Sequence, residues 1–426
     1  MKVKRIAFMF IPLMITLLSA TLVMHVLEKK RLIQTERNDD LVAAPPVNWL
    51  TEIHTPQGTE ISIEHKAFLS NRFLKEKPEN TFRMFVTGAS FAMGFPIVEQ
   101  SQKKRFGGIA EWIRDELKYR YPQANIEIIN VAAGGQNSFR VVEVVAELIR
   151  FNPDAIFVMT GNNEGFAPRY FINQELHRWV VYRALKRQLM PEVTLDRRPL
   201  KAMKVDHGAA EIEEHYLANI GKIVDLTQKH DIELLLAAMP INLRPGKENL
   251  PVQALEEKMK DRFLQTGSEL EMKGDWSGAI EQYAQSEEVG IATYLIGSCY
   301  EKMKNFTKAK SYYLFSLEFI PGMRSRRSGN QKIRELSQLD RVHLVDLEAW
   351  AEALSPHGIT GNNLYVDICH MHPVGYYMMA QEALRVIEGD QLIPLAFGPP
   401  LPKPPLNDLL TYYHYNPQPY QTILNE

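Results

Sequence analysis

Four short segments carry residues able to do chemistry. Ser90 closes Gly88-Ala89-Ser90, just past the apolar run Phe82 to Thr87. Gly134-Gly135-Gln136-Asn137 follows the run Ile126 to Val131, and Gly161-Asn162-Asn163-Glu164 follows Ala155 to Thr160. Asp367-Ile368-Cys369-His370 stands just before the amphipathic stretch Val374 to Val386. A hydroxyl, an imidazole and a carboxylate are the groups from which nucleophilic and acid–base catalysis is built. Taken singly, each segment has a plainer reading. Ser90 reads as a helix N-cap, Asp367 as a capping Asp beside a partly exposed His370, and the other two as glycine turns. Taken together they run in the order Ser, Gly, Asn, Asp/His, each after a strand or opening a helix, and the plainer readings do not account for that.

The elements around these segments must bring them together. Phe82–Thr87, Ile126–Val131, Ala155–Thr160, Glu233–Ala238 and Val342–Val345 read as short, continuously apolar strands. Between them Ile109–Leu117, Val141–Phe151 and His215–Gln228 carry apolar residues at helical spacing. Continuous strands alternating with amphipathic helices predict an α/β domain with a parallel sheet covered on both faces. Such a sheet gathers its strand ends, and any site, along one edge.

One block breaks the alternation. Leu264–Pro321 reads as helices only, and it echoes itself: Trp276, Ala279 and Tyr283 are answered by Phe306, Ala309 and Tyr313. Tyr294, Leu295, Gly297, Tyr300, Phe306, Ala309, Tyr313 and Pro321 fit the tetratricopeptide pattern; an ordinary helical hairpin is the plainer reading. So short a block is expected to lean on the host domain or on a partner. Arg324, Arg326 and Arg327 follow it and read as a solvated charged face in preference to a site for an anionic glycan or phosphate.

At the start of the chain, Ile6–Leu27 holds no Asp, Glu, Lys or Arg. As a helix it would be roughly 33 Å long, enough to cross a hydrocarbon core of about 30 Å. It is read as a membrane anchor in preference to a cleaved signal peptide, because the run exceeds an h-region and no small-x-small cleavage site follows. The short N-terminal flank favours export of everything after it. The expected division is residues 1–30 anchor, 31–60 linker, 61–250 first part of the α/β domain, 251–325 helical insertion, 326–393 second part, and 394–426 a Pro/Tyr-rich tail that either wraps the domain, binds something or is disordered.

Composition narrows the classes. With 45% apolar and 23% charged residues the chain is neither wholly disordered nor polytopic. Lys plus Arg is 49 against 51 acidic residues, so nothing pulls it toward nucleic acid. Two cysteines, Cys299 and Cys369, make no disulfide scaffold and no Cys-x-x-Cys metal site.

The order and identity of the four segments resemble the SGNH (GDSL-type) hydrolase superfamily, over about Asn80–Gly165 and Ile232–Val386. A membrane-anchored subgroup with tetratricopeptide insertions is similar in Gly161-Asn162-Asn163-Glu164, Leu344-Val345-Asp346-Leu347 and Val366-Asp367-Ile368-Cys369-His370. The resemblance implies a flavodoxin-like sheet and a cofactor-free, metal-free site. Ser90 would be the nucleophile, His370 the general base and acid, and Asp367 the residue orienting it. The Ser90 and Gly135 N–H groups and the Asn163 side chain would form the oxyanion hole. Three departures stand out: Ala89 replaces the usual Asp before Ser, Pro follows His372 and not His370, and Glu164 replaces the usual Asp. The Asp–His spacing selects His370 over His372.

The expected activity is that of an exported, membrane-anchored serine esterase or acyl hydrolase. Its substrate would be an ester, such as O-acyl groups of envelope polysaccharide or lipid esters, with water or a sugar hydroxyl as acceptor. The alternative is a catalytically silent scaffold that presents its helical repeats to a protein partner in a membrane assembly.

Overall fold

The computed structural model describes residues 16, 18–27, 49–63, 68, 71–96, 107–164, 179–189, 209–252, 254–320, 322–393 and 399–412. Among the described residues eight strands fall into two sheets. β1 (Leu50–Thr55), β2 (Gly58–Ile63) and β3 (Asn71–Leu74) form an antiparallel sheet. β4 (Thr81–Gly88), β5 (Asn125–Asn130), β6 (Ala155–Met159), β7 (Glu233–Ala238) and β8 (Val342–Asp346) form a parallel sheet in the order β5-β4-β6-β7-β8. The helices that matter for the site are α1 (Ser90–Met93), α2 (Ile109–Arg120), α3 (Ser138–Leu148), α4 (Ala209–Lys229), α5 (Arg262–Met272), α6 (Trp276–Tyr283), α7 (Val289–Lys302), α8 (Phe306–Phe319) and α9 (Pro373–Gly389).

The parallel sheet is double-sided because its strands are apolar on both faces. All eight residues of β4 and all five of β6 are buried. Successive side chains of a strand point to opposite faces. Phe82, Met84 and Val86 therefore join the core under α2 and α9, while Phe85 joins the one under α3 and α4. β4 is paired with β5 on one side and β6 on the other. Chain direction across the sheet reverses there, and the crevice beyond the strand ends at such a switch point is where open α/β sheets bind ligands.

α5 to α8 form paired antiparallel helices with a core of their own. That core includes Ile241, Leu243, Leu250 and Val252, from the segment after β7, so the block is seated on the α/β domain. Its two halves match at one constant offset. Gly267 lies against the Tyr283 ring as Gly297 lies against Tyr313. Tyr283 Oη donates to Glu271 and Tyr313 Oη to Glu301, both at 2.8 Å. Asp275 caps one helix and Asn305 its counterpart.

Two expectations change, and one that was left open, the tail, is narrowed. The linker placed at 31–60 ends by Trp49, which is buried, and residues 50–60 are β1, a tight turn and the start of β2. The missed signal is the alternation Glu60-Ile61-Ser62-Ile63, with Ile61 and Ile63 facing the core of α3 and α4. Arg324 is buried, not solvated: its guanidinium donates to the carbonyls of Asn242 (3.0 Å) and Ile320 (2.6 Å). In the tail, residues 399–412 lie on the domain. The Leu401 N–H donates to the Tyr119 carbonyl at 2.7 Å, and Leu409 and Leu410 enter the core of α2 and α9. Of the span Ile6–Leu27, only Thr16 and residues 18–27 are described, as helix. Among the described residues no helix is long and apolar enough to cross a membrane.

Candidate active site

β4 ends at Gly88, whose φ is 146°. A Cβ there would lie 2.0 Å from the Met159 carbonyl oxygen, so only glycine keeps β4 and β6 paired to their ends. Ala89 is extended, and Ser90 opens the single turn α1, which Gly94 stops in the left-handed region. A first-turn N–H has no partner inside its own helix, so the Ser90 amide is a donor at the sheet edge. Ser90 is half-buried while Phe91, Ala92 and Met93 are buried beneath it. Asn130, at the end of β5, donates to the Met93 carbonyl (3.3 Å) and to Glu111 (3.1 Å) and accepts from the Ala132 N–H (3.1 Å). It fixes the far end of the turn.

The acid–imidazole pair arrives from the other end of the chain. Ser90 Oγ lies 2.9 Å from His370 Nε2, and Asp367 Oδ2 lies 2.7 Å from His370 Nδ1. The carboxylate accepts a hydrogen bond from Nδ1–H, which leaves Nε2 to accept one from the serine hydroxyl. Asp367 Oδ1 also accepts from the N–H groups of Cys369 (2.9 Å) and His370 (2.7 Å), so the loop closes on its own acid. Burial would raise the Asp367 carboxyl, but the bond to His370 and those two N–H groups outweigh it and hold the pKa below the usual carboxylate range. Asn242 donates to the Asp367 carbonyl at 2.8 Å. The Phe95 ring packs edge-on against the imidazole at 4.8 Å, held by the Tyr376 hydroxyl on its carbonyl at 2.8 Å.

His372 does other work. Its Nδ1 accepts from the Gly375 N–H at 3.1 Å, capping α9, and its Nε2 donates to the Asn363 carbonyl at 2.8 Å. Both ring nitrogens are occupied, and burial lowers its pKa.

The third side of the site comes from β5 and β6. The Ala133 N–H donates to the Gly88 carbonyl at 3.1 Å, tying the Gly134-Gly135 turn to the approach to Ser90. Gly135 has φ 74°. Asn163 Nδ2 donates one hydrogen to the Gln136 carbonyl at 3.0 Å, leaving its second N–H for another acceptor. Glu164 accepts from Ser138 N (2.9 Å) and Ser138 Oγ (2.7 Å). Burial pushes its pKa up to about 7 against the pull of those bonds. Asn162 accepts from the Ser325 N–H at 3.1 Å.

Asp367, Cys369 and His370 bring their ligand atoms within 4.8 Å of one another. Both imidazole nitrogens are already used, and burial drives the Cys369 thiol well above its ordinary pKa, so this set is a poor metal site. Asn130, Asn242, Phe95 and Arg324 were not among the expected site residues. Asn130 and Asn242 carry one available signal: a lone polar residue at or just past the end of an apolar strand.

The motif order and its placement on the strand ends resemble the SGNH hydrolases. No family model matches the chain, and no curated protein matches it in sequence. Solved structures do show likeness. An acetylxylan esterase from Geobacillus stearothermophilus is 15% identical, with TM-score 0.35, over 72% of this chain and 94% of that one. An alpha/beta hydrolase from the metagenome of Lake Arreo, Spain, is 12% identical, with TM-score 0.37, over 72% and 95%. A GDSL-like lipase from Bacteroides thetaiotaomicron is 11% identical, with TM-score 0.32, over 74% and 89%. At scores this low none of them carries an argument about this chain's chemistry, which is read from the geometry alone.

Proposed function

We propose that this chain is a serine ester hydrolase of SGNH type. The observation that carries the reading is the continuous relay from Ser90 Oγ through both His370 nitrogens to Asp367, at 2.9 and 2.7 Å. Ser90 Oγ attacks the ester carbonyl carbon as His370 Nε2 takes its proton. The carbonyl electron pair moves onto oxygen, where the N–H groups of Ser90 and Gly135 and the free hydrogen of Asn163 Nδ2 stabilise it. Collapse of this intermediate expels the alcohol, which leaves with the proton from Nε2, and Ser90 keeps the acyl group. Water then repeats the sequence to release the acid; a sugar hydroxyl in its place gives acyl transfer. No cofactor enters these steps.

The substrate we infer is an O-acyl group on an envelope polysaccharide or a lipid ester. Support comes from the apolar start of the chain, whose described turns expose Leu18, Leu22, Val23 and Val26, as a membrane anchor would. On this reading the hydrolase domain lies outside the membrane in two parts, split by a tetratricopeptide-type insertion that receives a protein partner. The matched glycine–tyrosine packing of α5–α8 supports the repeat assignment. The scaffold alternative draws on the exposed Phe315 and Phe319 of α8.

Labelling with a fluorophosphonate probe tests the proposal. Wild type should be labelled, and Ser90→Ala and His370→Ala should not. An unlabelled wild type that turns over no short acyl ester would move the assignment to the scaffold. Protease added to intact spheroplasts should cut the domain; its full protection would refute export.

A further inference from the structure

The esterase steps assign no role to Glu164, yet it is half-buried among polar partners that point at the oxyanion loops. Its Oε1 accepts the Ser138 N–H at 2.9 Å and its Oε2 accepts the Ser138 hydroxyl at 2.7 Å. Asn219 of α4 donates to that same hydroxyl at 3.0 Å, and Thr160 Oγ1 lies 3.4 Å from Oε1. Tyr216, the ionisable neighbour on α4, holds the Thr160 carbonyl at 3.2 Å. One residue earlier, Asn163 Nδ2 donates the opposite way, to the Gln136 carbonyl at 3.0 Å. The loop after β6 therefore grips the loop after β5 twice, once as acceptor and once as donor. Gly135 lies just before the gripped residues.

Glu164 satisfies one unpartnered N–H at the start of α3, that of Ser138, but it does so from outside the helix. α3 already has its own N-cap, Asn137, whose side chain accepts from the Arg140 N–H at 3.2 Å. Glu164 comes from a different strand and binds the next residue along.

We propose that Glu164 is a positioning residue that sets the distance between Gly135 and Asn163, and so the width of the oxyanion pocket. This inference rests on the esterase reading. Oxyanion donors act only when they lie about 2.7–3.1 Å from where the charge will form. A misplacement of about 1 Å costs on the order of 10²-fold. The clamp therefore acts on the rate of the chemical step and hardly at all on ground-state binding.

The test measures kcat and KM for a short acyl p-nitrophenyl ester in wild type, Glu164→Gln, Asn163→Ala and the double variant. Glu164→Gln keeps one acceptor oxygen for the Ser138 N–H and puts an amide donor against the Ser138 hydroxyl, which already accepts from Asn219 and must turn round to accept again. It should lower kcat by about 10–10²-fold with KM nearly unchanged. In the Asn163→Ala background the same change should cost far less, because its target is already gone. If Glu164→Gln does not fold, Ser138→Ala removes only the hydroxyl contact and should show the same kcat-only loss, smaller. Full kcat in the variants of an active wild type, or losses that simply multiply with Asn163→Ala, would overturn the clamp alone. A wild type inert toward every short ester would instead overturn the esterase reading and the clamp with it.

Discussion

The helical block and the edge of the parallel sheet use similar side chains to opposite ends. In the block, the bonds that the two halves share close on near neighbours: Tyr283 on Glu271, Tyr313 on Glu301, with Asp275 on the Gly278 N–H. These bonds are made within one helical hairpin and stabilise it. At the sheet edge the bonds span the chain. Ser90 meets His370, Asn242 meets Asp367, and Ser138 meets Glu164. There the glycines hold conformations that other residues rarely adopt, as at Gly88 and Gly161. The block is built to persist and the edge to place a few atoms, so substitutions in the two should separate stability from rate.

The largest effect belongs to the edge. Ser90→Ala should lower ester turnover by at least about 10⁴-fold, and His370→Ala nearly as much, with the double variant little worse. Losses that multiply would break the idea of one relay. Asn163→Ala should cost about 10²–10³-fold in kcat, as for one oxyanion donor. A thermal shift comparable to that of a core substitution would place Asn163 with the stability residues instead.

Gly267→Ala probes the block. Its new methyl would sit 2.3 Å from the Tyr283 ring, and the overpacking should cost about 1–3 kcal/mol in denaturant unfolding with turnover per folded molecule kept. A collapse of kcat would show that the two regions are energetically one. His372→Ala should lose an N-cap, about 0.5–2 kcal/mol, and leave kcat within a few-fold. A loss as deep as that of His370→Ala would exchange the two histidines.

The smallest effect is a slope with pH. Burial raises Glu164 from 4.5 to about 7, so between those values the folded chain holds a proton that the unfolded chain has released. That contribution to stability is present in acid and is lost as pH rises through 7. Thermal unfolding of wild type and Glu164→Gln at pH 5 and pH 8 should differ in this direction, the variant being flatter. An equal slope in both would remove Glu164 from the balance.

Much of this is legible in the sequence. The three central parallel strands, β4, β6 and β7, announce themselves because they are buried nearly throughout and so almost continuously apolar, as in FRMFVT and AIFVM. The order of the four motifs is also enough to group Ser90, Asp367 and His370, because each motif follows a strand of that sheet or opens a helix beside it. What stays hidden depends on tertiary partners. β1 alternates weakly, with two Thr, a Glu and a His among its six residues, and it reads as strand only once β2 pairs with it. Arg324 looks like its neighbours Arg326 and Arg327 until the carbonyls of Asn242 and Ile320 are seen around it. Asn130 and Asn242 are ordinary asparagines whose work is set by loops far away in the chain.

The separation of Ser90 from His370 has a consequence for a chain still being made. The two positions are 280 residues apart. A ribosome adding roughly 5–20 residues per second needs about 14–56 s to pass from one to the other. Throughout that interval the nucleophile has emerged without its base, and α9, which covers one face of the sheet, does not yet exist. On the esterase reading the nascent chain is therefore inert until the segment that carries His370 docks against the one that carries Ser90, made 280 residues earlier.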